Sequence, residues 1–339
     1  MIKSSLNEHD RTVSVIIPYY NGSKYIERSV QSVLDQTVKP NELLVIDDGS
    51  IQEESDFLNI IAKKMGFAVL RKENGGQGSA RNFGVAHTKS KFICFLDQDD
   101  FFLPNHIKQL MDAVEWQDPK FGWVYGDLCE ADEEGNIVQT NVVVRSTKDS
   151  HPKTSILTML RYDMYVLPSA SLISRRAFED VGGFDPQFTG YEDDDFFLRL
   201  FRKGWTNYYL PKAVTVWCIN NNSTSFSIKM SRSRLRYVKK ICDNFDEVSG
   251  YGHRYIRDCL VPRFMGTFIK EARQAVKKPK TPQQIKMFEH RDEIISLLDQ
   301  FIDVISQKTR LRGPVRRKMK RAVLKIKIER TIKKIFLKY

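Results

Sequence analysis

The sequence predicts an α/β fold, a mixed but mostly parallel sheet covered by helices, followed by a basic α-helical C-terminal region. Three observations point there. Short apolar runs alternate with amphipathic helical patterns from residue 12 to about residue 218, the order that builds a parallel sheet covered on both faces. Two of those runs end in acidic residues, Asp47-Asp48 and Asp97-x-Asp99-Asp100. The charge also divides along the chain. Residues 229–339 carry 30 Lys+Arg against 11 Asp+Glu, and residues 1–228 carry 24 against 31, so the two parts are expected to meet different partners.

The elements follow in order. Val13-Ser14-Val15-Ile16-Ile17, stopped by Pro18, reads as a buried strand. Ile26, Val30, Val33 and Leu34 lie on one face of a helix. Leu43-Leu44-Val45-Ile46 is the second strand and Asp47-Asp48-Gly49-Ser50 its end. Phe57, Ile60 and Ile61 mark a second helix, and Phe67-Ala68-Val69-Leu70 a third strand. A Gly-rich loop then leads into a helix from Ser79 to about His87, and Phe92-Ile93-Cys94-Phe95-Leu96 is the fourth strand. Beyond it the order becomes mixed. Phe121 to Glu130 reads as a strand, Glu133-Glu134-Gly135-Asn136 as a turn into another, and Glu192 to Lys203 as a helix stopped by Gly204. From about residue 229 the pattern is helical and basic, with a linker at Lys277-Lys278-Pro279-Lys280-Thr281-Pro282. The expected division is 1–228, 229–312 and 313–339.

Composition narrows the class. With 339 residues, 41% of them hydrophobic, the chain has material for a substantial core. Its cysteines, at 94, 129, 218, 242 and 259, form no CxxC pair, which argues against a disulfide framework or a zinc site and for a reducing compartment. The polar start, Met1 to Asp10, has no signal-peptide apolar stretch, and no run of about 18 apolar residues exists to span a membrane.

The acidic clusters carry the chemistry. In open α/β sheets, ligands bind beyond the carboxyl ends of strands. Asp48, Asp97 and Asp99 stand at such ends, and Glu192-Asp193-Asp194-Asp195 stands ahead of a helix. Gathered carboxylates repel one another unless a cation or a proton-transfer task is present. Mg²⁺ or Mn²⁺ held by one or two carboxylates with substrate phosphates is the simplest occupant. Each cluster alone has a plainer reading: Asp-Asp-Gly-Ser is also a turn and an N-cap, and Glu192 to Asp195 also complement a helix N-terminus.

Together with Val13-Ser14-Val15-Ile16-Ile17-Pro18-Tyr19-Tyr20-Asn21, Gly75-Gly76-Gln77-Gly78-Ser79-Ala80-Arg81-Asn82 and Val181-Gly182-Gly183-Phe184-Asp185, these clusters make residues 13 to about 225 resemble the family-2 glycosyltransferases. The resemblance implies the Rossmann-like GT-A fold and inverting transfer of a sugar from a nucleotide diphosphate donor, UDP or dTDP. It implies that Asp48 accepts the N3–H of the base, that Tyr20 packs on the base with Pro18 beside it, and that Gly76 and Arg81 belong to the donor-binding loop. Asp97 is then expected at the ribose and the metal shell, Asp99 as the direct ligand of Mn²⁺ or Mg²⁺, and Asp193 as the general base. Glu192 and Asp194 are expected to orient the acceptor or the base, and Ser169 and Trp217 to line the acceptor pocket. Arg81 otherwise reads as a surface helix residue.

Two departures from the family pattern matter. No Gln-x-x-Arg-Trp motif follows the Glu-Asp cluster, which implies transfer of a single sugar rather than processive synthesis. The stretch Val216-Trp217-Cys218-Ile219-Asn220-Asn221-Asn222-Ser223 has no His where many GT-A enzymes place a metal ligand. The nearest, His151 and His253, are not matched to that role. A nucleotidyltransferase would need a Gly-rich loop directly after the first strand, where Pro18-Tyr19-Tyr20-Asn21 stands. The other competing reading is a degenerate nucleotide-sugar-binding module with a docking tail, against which the presence of Asp48, Asp97, Asp99 and Asp193 counts.

Residues 310–339 hold thirteen Lys+Arg and one acid, Glu329. Met319, Val323, Ile326, Ile328, Ile332, Ile335 and Tyr339 recur at helical spacing, as in a basic amphipathic helix lying on an anionic membrane. The expected setting is the inner face of a cell membrane, with a lipid-linked or surface glycan as acceptor. The plainer alternatives are a helix packing its stripe on its own domain, and a strand at Leu324-Lys325-Ile326-Lys327-Ile328. Few aromatics accompany the basic residues, so nucleic acid is not expected as a partner.

Overall fold

The computed structural model describes residues 11–220, 227–245, 254–311 and 313–336. These form two compact units, one of residues 1–156 with 164–220, the other of 157–163 with 221–339. The first unit begins with β1 (Val13–Tyr19), α1 (Ser23–Leu34), β2 (Glu42–Asp47), α2 (Gln52–Met65), β3 (Ala68–Arg71), α3 (Gln77–Ala86) and β4 (Phe92–Phe95). It continues with β5 (Phe101–Phe102), α4 (His106–Asp112), β6 (Phe121–Ala131), β7 (Ile137–Gln139) and α5 (Val142–Ser146) and, after α6 (Ile156–Arg161), which falls mostly in the second unit, with β8 (Ser171–Ser174), α7 (Arg175–Asp180), α8 (Glu192–Arg202) and β9 (Thr206–Cys218).

Every residue of β1 is buried, because the two faces of its pleat meet different helices. Val15, Ile17 and Tyr19 cluster with Ile26, Val30 and Val33 of α1. Ile16 faces α3, where a Cβ on Gly84 would fall 2.5 Å from its Cγ2. The described sheet runs β3-β2-β1-β4-β8-β6-β9-β5, with β7 paired to β6. Its first half is parallel throughout. Strand β8 is antiparallel to β4 and β6, and β6 and β9 are parallel again. The chain moves outward from β1 to β3 and then returns to the other side of β1 as β4, which opens a crevice at the carboxyl ends of β1, β2 and β4.

The elements predicted in the first half are present within a residue or two. Helix α3 begins at Gln77 because Gly76, at φ +84, turns the loop into it. The pieces given no reading in the sequence are β5, α4, α5, α6, β8 and α7, all short, and β9, which is long but irregular. Register shifts against β6 near Gly126, Asp127 and Leu128 break its alternation.

The second unit is helical. It holds α9 (Ile228–Asn244), a π-helical stretch at Tyr255–Leu260, α10 (Val261–Ala275), α11 (Pro282–Glu289), α12 (Arg291–Lys308) and α13 (Gly313–Phe336). Phe268 of α10 stacks on Phe301 of α12 at 4.5 Å. Arg234 of α9 pairs with Glu271 of α10 at 2.7 Å. Most of α6 belongs here, since Arg263 binds the Met159 carbonyl at 3.1 Å and Asp163 at 2.8 Å. The linker predicted at 277–282 leads into α11, capped by the Thr281 side chain with Pro282 in the first turn. Residues 324–328 are helical, which overturns the strand alternative. Met319, Ala322 and Ile326 are buried within the unit, at the three- and four-residue spacing that only a helix puts on one face.

Candidate functional site

The carboxyl end of β2 delivers Asp48, 3% exposed, against the loop after β3. Its Oδ1 accepts hydrogen bonds from Lys72 Nζ at 2.7 Å and the Gly75 amide at 3.0 Å, and its Oδ2 accepts from the Gly76 amide at 2.7 Å and shares the Gly75 amide at 3.2 Å. Asn74 donates to the Asp48 carbonyl at 2.8 Å. This closeness needs Gly49, at φ +76, where a Cβ would fall 2.7 Å from the Asn74 nitrogen. Pro18 is buried and level with Ile46 of β2. Tyr20 follows β1 with 49% of its surface exposed, and its amide is held by Gln98 Oε1 at 2.9 Å.

Beyond β4, Asp97 accepts hydrogen bonds at Oδ1 from Gln77 Nε2 and from an Arg81 terminal nitrogen, both at 2.6 Å. The other terminal nitrogen of Arg81 lies 3.7 Å from Glu192 Oε1. Arg81 is 2% exposed, with its guanidinium 5.2 Å from the Phe184 ring centroid. The surface-residue alternative for Arg81 therefore fails. Burial opposes its charge, but Asp97 and Glu192 outweigh the burial and keep it protonated. Asn82 fixes this contact by bracketing Phe184, donating to its carbonyl at 2.7 Å and accepting from its amide at 2.8 Å.

Helix α8 opens with all four acids of the cluster in its first turn. The residues before it, Gly190 at φ +99 and Tyr191 at φ +66, make the turn that aims them. Glu192 points inward and accepts the Gly190 amide at 2.6 Å. Burial, then the charge of Asp193, pushes it up to about 7 against the pull of Arg81. Asp193 and Asp194 are half-buried. Asp193 Oδ1 accepts the Asp194 amide at 2.8 Å.

Asp99 is pushed up to about 6, by burial and then by Asp97. Its Oδ2 accepts Asn220 Nδ2 at 2.7 Å, and its carbonyl accepts Arg28 at 2.9 Å. Asn220 thus meets Asp99 from the stretch where the sequence lacks a His; Asn221, Asn222, Ser223 and His253 lie outside the described residues. Among the described residues, no three His, Cys, Asp or Glu side chains converge on one point that could hold a metal ion. Two neighbouring acids whose repulsion a cation would relieve do fit Mg²⁺ or Mn²⁺, which take one or two carboxylates and complete their shell with substrate phosphates and water.

Ser169 is buried, its carbonyl accepting from Thr215 at 2.6 Å. Trp217 is half-buried beside Leu128, Val142 and Val143. Neither makes a hydrogen bond with the acidic residues among the described ones. Lys72, Gln77, Gln98 and Asn220 also touch the site; Gln77, Gln98 and Asn220 lie within the quoted segments but were given no role, and Lys72, a polar loop residue after β3, lies outside them.

The family profile described as "Glycosyl transferase family 2" matches residues 14–182, and one described as "N-terminal domain of galactosyltransferase" matches residues 158–217. The chain is 31% identical over 199 residues to an uncharacterised glycosyltransferase of Rickettsia conorii, covering 58% of this chain and 32% of that protein. It is 30% identical over 207 residues to a chondroitin synthase of Escherichia coli, covering 60% of this chain and 28% of that one. The chain therefore spans about a third of the length of these relatives. Among solved structures, S. aureus TarS 1-349 in complex with UDP-GlcNAc matches with a TM-score of 0.64 at 19% identity, covering 96% of this chain and 92% of that one. The shared fold is GT-A. By its matching profile, and by the acidic strand ends and helix start that the fold gathers at one crevice, the chain belongs to glycosyl transferase family 2.

Proposed function

We propose that this protein is a metal-dependent inverting glycosyltransferase that moves a single sugar from a nucleotide diphosphate donor, UDP or dTDP, to an acceptor hydroxyl. One observation carries the reading. Buried Arg81 contacts both Asp97, at the end of β4, and Glu192, at the start of α8, so the donor-side acid and the acid cluster form one site. The loop of Gly75 and Gly76 with Asp48 holds the base, and exposed Tyr20 packs on it. Asp97 reaches the ribose. Asp99 with Asp97 holds the divalent cation, which when bound supplies positive charge for the leaving diphosphate. Asp193, less buried than Glu192, takes the acceptor hydroxyl proton, and attack from the face opposite the diphosphate inverts the anomeric carbon. Glu192 keeps Arg81 and the α8 turn in place. Asp194, Ser169 and Trp217 belong to the acceptor side.

The acceptor in this proposal is a lipid-linked or surface glycan, and the enzyme is peripheral on the cytoplasmic face of an anionic membrane, held there by residues 313–339. No described helix is long and apolar enough to cross a membrane. Arg316, Arg317, Lys320, Arg321, Lys325 and Lys327 of α13 are exposed, together with Leu324 and Ile328. The complex of S. aureus TarS 1-349 with UDP-GlcNAc agrees with a UDP-sugar donor. The direct test is Asp193→Asn. Nucleotide binding is expected to stay, and turnover with a glycan acceptor to fall by roughly 10²- to 10⁴-fold. Near-normal turnover would remove Asp193 from the mechanism.

A further inference from the structure

Helix α13 is flanked by two grooves within the helical unit, and their charges differ. The groove toward α12, about 970 Å³, carries Asp299 and Asp303 among its cations, and Lys327 pairs with Asp299 at 3.8 Å. The cleft toward α10 is smaller, about 360 Å³, and is lined by Arg273 of α10 with Pro314, Arg317, Arg321, Ala322 and Lys325 of α13. No described acid lines it. Arg317, Arg321 and Lys325 follow one another at four-residue spacing, where like charges repel, and Arg273 adds a fourth cation from the facing helix. None of the four makes a hydrogen bond or ion pair among the described residues. Cations gathered around one cleft without a counter-charge make a positive field that an anion relieves. Phosphate is the anion that three guanidinium forks suit best, since each offers paired N–H donors to two oxygens.

The cleft's size limits the ligand: it takes a headgroup, not a helix or a duplex. Its neighbours on α13 say what the headgroup is attached to. Leu324 and Ile328, 61% and 49% exposed, stand three residues beyond Arg321 and Lys325, on the adjoining stripe of the helix. Exposed apolar side chains beside an anion cleft suit a phosphate head carried on a hydrocarbon body. We infer that the cleft between α10 and α13 binds a lipid whose phosphate carries two or more negative charges, a phosphomonoester or a diphosphate. This rests on the reading of α13 as the membrane-facing helix, and adds to it the class of lipid that is recognised. A phosphodiester lipid leaves two free oxygens and a single charge to share among the four cations. A phosphomonoester leaves three oxygens and close to two charges near neutral pH, and so satisfies more of the donors in the cleft.

Co-sedimentation of the full chain with phosphatidylcholine vesicles containing either phosphatidic acid or phosphatidylserine, matched in surface potential, tests this in the wild type, Arg273→Gln, Arg273→Lys and Lys320→Gln. Arg273 lies on α10, outside residues 313–339, so its replacement separates the cleft from the basic face of α13. The wild type should bind the phosphatidic acid vesicles about tenfold more tightly than the phosphatidylserine vesicles, the effect of one added charge-assisted hydrogen bond. Arg273→Gln should lose most of that preference and leave phosphatidylserine binding close to the wild-type level. Arg273→Lys, which keeps the charge without the fork, should recover part of the preference. Lys320→Gln, on the side toward α12, should weaken both lipids equally and keep it. Equal binding of the two lipids by the wild type overturns the inference, as does a preference that survives in Arg273→Gln or is lost in Lys320→Gln. Binding to neither vesicle overturns the membrane reading beneath it as well. Calorimetric binding of inorganic pyrophosphate in EDTA that Arg273→Gln abolishes, without any preference between vesicles, assigns the cleft to a soluble phosphate and overturns the lipid source. The comparison of two lipids within the wild type needs no variant to fold.

Discussion

Glu192 and Asp193 are adjacent in sequence but meet different surroundings. Glu192 turns inward to Arg81 and the Gly190 amide, while Asp193 stays half-buried at the first turn of α8. Environments of this kind separate the tasks of paired acids. Because burial and then Asp193 raise Glu192 to about 7 from its ordinary 4.5, the folded protein holds a proton there that the unfolded chain releases. Its contribution to stability is therefore fully present below pH 4.5 and is lost as pH rises through about 7. Thermal melts of wild type and Glu192→Gln across that window should show the variant gaining relative to the wild type as pH rises. A constant difference would mean that Glu192 does not titrate there. The acids were legible in the sequence because they close apolar runs or open a helix. The burial of Arg81 was not, because its partners Asp97 and Glu192 lie 16 and 111 positions away, and only the tertiary fold brings them to it.

Among the elements, α3 does most to locate the donor loop, and it does so by lying close to the sheet. Gly84 permits the approach: an added Cβ would fall 2.5 Å from Ile16 Cγ2 and 3.2 Å from Ile46 Cγ1. Both neighbours are β-branched and stiff. Gly84→Ala adds helix propensity of about 0.8–1 kcal/mol, but overpacking of this kind costs ~1–3 kcal/mol. The expected outcome is a lower Tm with weaker nucleotide binding, and an unchanged Tm would mean that α3 does not depend on this contact. The first four strands were legible because each is a compact apolar run; three have a polar stop, and β1 runs on through Pro18, where the apolar run was read as ending, to Tyr19. Strand β9 was not, since its bulged register against β6 leaves Pro211 and Lys212 exposed in mid-strand and removes the period-two signal.

At the scale of the whole molecule, the sequence's charge division reappears as an acidic sheet unit and a basic helical unit. The second was legible as helix but not as packing, because the same stripe serves a membrane or a neighbouring helix equally well. Met319, Ala322 and Ile326 are buried within that unit, so the membrane proposal rests on the exposed basic face of α13. Replacing Arg316, Arg317, Lys320, Arg321 and Lys325 by Gln should leave the melting temperature in place. It should weaken co-sedimentation with phosphatidylserine vesicles by an order of magnitude or more, at about 1 kcal/mol per residue near the surface. Vesicle binding equal to that of the wild type would remove the membrane from the proposal. Truncation before Gly313 is the poorer test, since it also strips those buried residues from the unit.

All of this depends on a nucleotide and a divalent cation meeting at the ends of β2 and β4. Calorimetric titration with UDP, with and without Mn²⁺, on the wild type and on Asp99→Ala measures that meeting directly. The expected result is UDP binding that strengthens with Mn²⁺ in the wild type and loses that dependence in Asp99→Ala. UDP binding indifferent to Mn²⁺ in both proteins, or no UDP binding in either, would contradict it.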